Sequence, residues 1–92
     1  MNKKRVLIID DDPEIGNLYR EFLEGEGYLA SCCNDGSEAV IQLEKEKFDI
    51  VLLDIQMPGM DGFKVLSSIE NKGIPVIIIT AFGTVENAVR AL

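Results

Sequence analysis

Short apolar runs alternate with amphipathic stretches along the chain. Three of these runs are uninterrupted and rich in β-branched residues, and they cover residues 6–9, 50–53 and 76–79. Such runs are typical of strands that are buried on both faces, as in parallel sheets. A further strand is predicted at about residues 28–33. The alternation therefore predicts an α/β domain with a largely parallel sheet.

The intervening stretches have apolar residues at helical spacing and begin with residues that cap helices. The first helix follows Asp12 and Pro13, an N-cap and first-turn pair, and two glycines end it. Asp35 opens the second helix in a sequence resembling a capping box, and Asp61 caps a third helix that ends at Gly73. A fourth helix is predicted after residue 83. The apolar positions are Ile15, Leu18, Tyr19, Phe22 and Leu23 in the first helix, Ala39, Val40 and Leu43 in the second, Phe63, Leu66 and Ile69 in the third, and Val85, Ala88, Val89 and Leu92 in the fourth.

Parallel strands joined by short, right-handed helical crossovers form an open, doubly wound sheet with helices on both faces. The 92 residues are enough for one such domain, and we find no repeat or linker within residues 1–92. Only four apolar residues follow the basic N-terminus, too few for a signal peptide or a membrane span. We therefore expect one cytoplasmic domain that does not enter a membrane.

Composition and charge exclude several functions. The net charge of −7 argues against a nucleic-acid surface on this domain, because phosphate backbones require Lys and Arg. The absence of histidine removes the usual general base and the usual zinc ligand. The two cysteines, Cys32 and Cys33, are adjacent, so strand alternation would send them to opposite faces of the sheet as reduced residues.

Residues suited to phosphate chemistry follow the three apolar runs. Asp10 and Asp11 follow the first run, Asp54 the second and Thr80 the third. Because the carboxyl ends of parallel strands share one edge, we expect these side chains to converge there. Two like charges 5 Å apart cost roughly 3 kcal/mol at an effective dielectric near 20, so the cluster must bind a proton or a cation or be destabilised. Carboxylate ligands predict a Mg²⁺ site with open positions for a phosphoryl group.

The Thr80 hydroxyl and the backbone N–H of Ala81 can donate hydrogen bonds to a phosphoryl oxygen. No glycine motif for dinucleotides and no P-loop motif occurs in the sequence. A flavin phosphate loop would need hydroxyls and glycines after the first strand, where this chain has three aspartates. The acidic edge is therefore the predicted site.

The chain contains the segments VLIIDD at 6–11, LLDIQMPGMDG at 52–62 and ITA at 79–81. These segments resemble the receiver domain of two-component response regulators, and the last helix is similar to NtrC-type receivers. The resemblance implies a flavodoxin-like fold with strand order 2-1-3-4. It also implies that Asp54 accepts a phosphoryl group from a histidine kinase or a phosphorelay protein, that the backbone carbonyl of Gln56 joins Asp10, Asp11 and Asp54 at the metal, and that Thr80 acts as the switch residue. The module would not be an enzyme in the usual sense, although it takes part in its own phosphorylation.

The sequence departs from this family at its end. Receivers carry a fifth strand that ends in a lysine and then a fifth helix, whereas no lysine follows Lys72 here. The expectation is a truncated receiver that self-associates through the open edge of strand 4. An alternative is a fragment or engineered piece that folds and assembles without completing phosphotransfer. A third possibility is a haloacid-dehalogenase-like phosphatase, because Asp12 lies two residues after Asp10. This sequence lacks the later lysine that such a phosphatase needs.

Overall fold

The computed structural model describes residues 3–54 and 62–79, with side chains from Lys64 onward in the second segment. Strands and helices alternate throughout both segments, as the apolar pattern predicts. The elements are β1 (Arg5–Ile9), α1 (Pro13–Gly25), β2 (Leu29–Cys33), α2 (Gly36–Lys45), β3 (Ile50–Asp54), α3 (Gly62–Asn71) and β4 (Val76–Ile79).

The described strands form one parallel sheet in the order β2-β1-β3-β4. This order and the α/β class confirm the predicted architecture. The pairing register sets Ile9 opposite Leu53 and Asp54 opposite Ile79, so the strands end at a common edge. Asp54 is itself the last residue of β3, one position later than the sequence pattern predicts.

Side chains alternate between the two faces of the sheet and fill two separate cores. One core lies between the sheet and the helices α2 and α3, and the other lies on the α1 side. Cys33 belongs to the first core and Cys32 packs against the second, and both thiols are free, as predicted. The central strands β1 and β3 are therefore covered on both sides, which explains their continuous apolar runs.

Local capping determines where the helices begin and end. The Asp12 carboxylate accepts a hydrogen bond from the backbone N–H of Glu14 at 3.0 Å, and Asp35 accepts bonds from Ser37 and Glu38. Both aspartates are therefore N-caps, as predicted. Glycines at positive φ follow the other ends of two helices, Gly27 at 95° after α1 and Gly73 at 68° after α3.

The apolar stripe of α1 divides into a buried part and an exposed part. Tyr19 and Leu23 are buried, whereas 39% of Ile15, 47% of Leu18 and 46% of Phe22 is exposed. The helix packs mainly on β2 and β1, so only one side of a broad stripe faces the sheet. The exposed side leaves an apolar surface on α1.

Candidate functional site

Three aspartates meet at the carboxyl edge of the sheet. Asp10 and Asp11 directly follow β1, and Asp54 ends the neighbouring strand β3. Each offers a carboxylate oxygen, and these oxygens all lie within 4.8 Å of one another. The predicted convergence of these three residues is therefore present in the structure.

Asp10 is fixed by hydrogen bonds and is buried, whereas Asp11 and Asp54 are more exposed to solvent. Its backbone N–H donates to the carbonyl of Cys33 at 3.0 Å, which continues the β1–β2 pairing by one residue. Its Oδ1 accepts the backbone N–H of Asp12 at 2.9 Å. Only 3% of Asp10 is exposed, whereas Asp11 is exposed and Asp54 is half-buried. The cluster thus combines one fixed, buried carboxylate with two that a ligand can reach.

The environment of Asp10 favours its neutral form. Burial raises the pKa of the Asp10 carboxyl from 3.8 to about 6, and the charges of Asp54, Asp11 and Asp12 add to the effect. The hydrogen bond from the Asp12 backbone acts in the opposite direction. Burial is the largest cause of this raised pKa, whereas the sequence pattern indicates only repulsion between the carboxylates. Near pH 7 the carboxylate is ionised at a cost that a bound cation would offset.

The donor set fits a small, hard cation. Mg²⁺ binds oxygen ligands at about 2.1 Å, so ligand atoms on opposite sides of the ion lie about 4.2 Å apart. The spacing of the three carboxylate oxygens, at most 4.8 Å, is close to that span. All three ligands are carboxylates, which suits Mg²⁺ better than metals that prefer sulfur or imidazole.

The other predicted site residues lie outside the described residues: Gln56, Thr80 and Ala81, together with the loop at 55–60, the Asp61 cap and the last helix. One role of Asp12 is not evident from the sequence pattern. The pattern predicts only a helix cap at this position, yet the Asp12 backbone N–H also donates to the Asp10 carboxylate. An aspartate two residues before a helix cap is the signal that could have indicated this turn.

Comparison with known proteins agrees with this geometry. The sequence profile of the response regulator receiver domain matches residues 6–92. The NtrC-type transcriptional regulatory protein ZraR of Escherichia coli K12 is 40% identical over 89 residues, which cover 95% of this chain and 20% of ZraR. ResD of Bacillus subtilis is 38% identical over 90 residues, 97% of this chain and 38% of ResD. The chain thus spans well under half the length of these relatives.

Solved receiver structures share the fold. A CheY-like receiver protein from Methanospirillum hungatei has a TM-score of 0.80 and 33% identity, with 96% of this chain and 72% of that chain covered. TrrA from Thermotoga maritima, crystallised with Mg²⁺-BeF, has a TM-score of 0.77 and 38% identity, with 87% and 71% covered. In a second structure TrrA is in complex with the histidine kinase ThkA; the TM-score is 0.76, the identity 37%, and the coverage 88% and 72%.

Among the described residues, no helix has both the length and the apolar character needed to cross a membrane.

Proposed function

Because the chain belongs to the response regulator receiver domain family, we propose that it accepts a phosphoryl group on Asp54 and thereby switches a protein-interaction surface. The observation that carries the proposal is the convergence of the Asp10, Asp11 and Asp54 oxygens within 4.8 Å. Asp54 is half-buried at the end of β3, so a donor can reach its carboxylate while the strand fixes its position. We regard residues 1–92 as one receiver unit, acting in the cytoplasm.

The chemistry is an in-line transfer to the Asp54 carboxylate. An Asp54 oxygen forms a bond to phosphorus while the P–N bond of a phosphohistidine donor breaks, and the imidazole leaves with that electron pair. The strand-end position of Asp54 supplies orientation, which is most of what phosphoryl transfer needs from a protein. The product is a phosphorylated aspartate of the protein itself, so we assign no enzymatic turnover of an external substrate.

We propose Mg²⁺ as the cofactor of this site. Asp10, Asp11 and Asp54 would hold the ion, with the Gln56 carbonyl as a further ligand by analogy with the family. When bound, Mg²⁺ would offset the charge of the carboxylates and of the incoming phosphoryl oxygens. The TrrA complex with Mg²⁺-BeF supports this assignment, since the aligned parts of that protein and this chain are 38% identical.

Intact mass after incubation with a small-molecule phosphodonor tests the proposal. We expect one phosphoryl adduct that requires Mg²⁺ and is absent in Asp54→Asn. Asp49→Asn is the matched control, because Asp49 precedes the same strand at the opposite edge. An adduct that persists in Asp54→Asn, or its absence from the wild-type protein with Mg²⁺, would contradict the proposal.

We propose that the exposed side of α1 is where the histidine kinase docks. The helix begins at the acidic site, and Ile15, Leu18 and Phe22 form an exposed apolar line along it. A kinase helix seated on this line would bring its phosphohistidine towards Asp54. The complex of ThkA with TrrA supports a kinase as the partner of this family of domains.

Transfer from a panel of autophosphorylated histidine-kinase domains tests the docking surface. We expect Leu18→Ala to slow transfer from the kinase that phosphorylates the wild-type protein, and to leave phosphorylation by a small-molecule donor unchanged. Leu29→Ala is the matched control, because Leu29 is 49% exposed but lies on β2. Equal transfer rates in all three proteins would exclude the α1 surface.

We also propose self-association through β4. In the described sheet β4 pairs with β3 on one side, and 46% of Ile78 is exposed. Exposed strand edges with apolar residues are templates for pairing with another chain. We expect the apparent mass in sedimentation to rise with concentration and the rise to weaken in Ile78→Lys. If the wild-type protein sediments as a monomer at the highest concentration measured, the proposal is contradicted.

A further inference from the structure

The end of β2 is joined to Asp10 by two routes of hydrogen bonds. The direct route is the bond from the Asp10 backbone N–H to the Cys33 carbonyl at 3.0 Å. The second route passes through the first turn of α1 and begins at the thiol of Cys32, which donates to the Gly16 carbonyl at 3.2 Å. The two routes therefore start from adjacent residues of the same strand.

The second route continues from Gly16 back to the acidic site. The Gly16 backbone N–H donates to the Asp12 carbonyl at 3.0 Å, and the Asp12 backbone N–H donates to Asp10 Oδ1 at 2.9 Å. Together with the direct bond to Cys33, these bonds form a closed ring that includes the start of α1. A shift of this first turn away from β2 would therefore move the Asp12 N–H and loosen the Asp10 carboxylate.

The contact between Cys32 and Gly16 is close. Gly16 is buried, and a Cβ added to it would lie 3.6 Å from Cys32 Sγ, so the backbone of α1 lies directly against this side chain. Cys32 also packs against the α1-side core. Burial raises the pKa of the Cys32 thiol, which therefore keeps its proton at neutral pH and can donate. An alanine could occupy the same position without donating, so the thiol adds a bond that packing alone does not require.

We propose that Cys32 is a positioning residue of the phosphoryl site: its bond to the Gly16 carbonyl holds the first turn of α1 in place, and this turn orients the Asp10 carboxylate for a cation. The inference rests on the proposed function, because it concerns the same carboxylate cluster. A ligand that is already oriented loses less freedom when a cation binds. The thiol should therefore strengthen cation binding without contacting the ion.

Amide hydrogen exchange without Mg²⁺, followed by NMR, tests the ring directly. We expect Cys32→Ala to raise the exchange rates of the Asp12 and Gly16 amides about threefold, as the loss of one weak hydrogen bond predicts. The Ala39 amide is the matched reference, because it makes the corresponding first-turn bond of α2, to the Asp35 carbonyl at 3.0 Å. Unchanged rates in the first turn of α1, or an equal increase at Ala39, would overturn the inference.

Titration calorimetry with Mg²⁺ tests the effect on the site. We expect the dissociation constant to rise about threefold in Cys32→Ala and to stay within about 1.5-fold of the wild-type value in Cys32→Ser, whose hydroxyl can donate to the same carbonyl. Cys33→Ala is the matched control, because it removes the neighbouring thiol from the other core and keeps the backbone carbonyl that accepts from Asp10. It should leave the dissociation constant unchanged.

A dissociation constant that rises equally in Cys32→Ala and Cys32→Ser, or as much in Cys33→Ala, would show a packing role and overturn the inference. So would a wild-type value in Cys32→Ala. If the wild-type protein binds no Mg²⁺ or forms no phosphoryl adduct, the proposed function fails, whereas amide exchange still decides whether Cys32 holds the first turn of α1.

Discussion

At the amino edge of the sheet Arg5 has three partners, whereas the carboxyl edge gathers three carboxylates. The Arg5 guanidinium lies 3.4 Å from the Glu46 carboxylate and 4.9 Å from the centre of the Phe48 ring, and its backbone N–H donates to Asp49 at 2.7 Å. At the opposite edge Asp10 is buried close to two like charges. At the amino edge the positive charge of Arg5 lies beside a negative charge, which favours the folded state. At the carboxyl edge three negative charges lie close together, which lowers stability and is typical of binding sites.

The largest expected effect lies at the amino edge. Phe48 is 6% exposed and belongs to the core that α2 and α3 cover. Replacing it with alanine leaves a cavity and removes the ring beneath Arg5, so we expect Phe48→Ala to lower the free energy of unfolding by about 3–5 kcal/mol. The midpoint of urea unfolding measures this change.

Phe22→Ala is the matched control for Phe48→Ala. Phe22 is 46% exposed, and its truncation should lower the free energy of unfolding by less than about 1 kcal/mol. Equal losses in the two variants would mean that the amino edge contributes no more to stability than an exposed helix surface.

The carboxyl edge should respond in the opposite direction. Asparagine at position 10 keeps an oxygen for the Asp12 N–H but carries no charge. The pKa of the Asp10 carboxyl is about 6 in the folded protein, whereas the ordinary value for an aspartate, taken here for the unfolded chain, is 3.8. The folded state therefore binds the proton of the Asp10 carboxyl more tightly than the unfolded chain does. The stabilisation that comes from protonated Asp10 is complete below about pH 4 and is lost as the pH rises through 6. Near pH 7 we expect Asp10→Asn to be more stable by as much as about 3 kcal/mol.

Unfolding at several pH values without Mg²⁺ checks the Asp10→Asn prediction. The difference from the wild-type protein should be small near pH 4 and grow towards pH 7. Asp11→Asn removes the same charge from an exposed position, so its effect should be smaller at every pH. A loss of stability in Asp10→Asn near pH 7 would show that the ionised carboxylate supports the fold.

The sequence predicted the strands and their convergence because burial on both faces leaves uninterrupted apolar runs and parallel strands share one carboxyl edge. It also predicted the Asp12 and Asp35 caps, since capping depends on local contacts. It could not predict which side of the α1 stripe is buried, because that depends on how the helix lies over β1 and β2. The near-complete burial of Asp10 arises from packing between distant segments.

The smallest effect concerns the ion pair between Arg5 and Glu46. Their side chains are 35% and 46% exposed, so water screens the pair and its formation restricts two long side chains. We expect a double-mutant cycle with Arg5→Met and Glu46→Gln to give a coupling energy of about 0.2–0.5 kcal/mol, which falls towards zero in about 1 M salt. The contribution of buried Asp10 should persist at the same salt concentration. A coupling energy above about 1 kcal/mol that does not fall in salt would show that the amino edge also contains a desolvated charge. The two edges would then differ in whether their charges attract or repel each other, and not in how deeply those charges are buried.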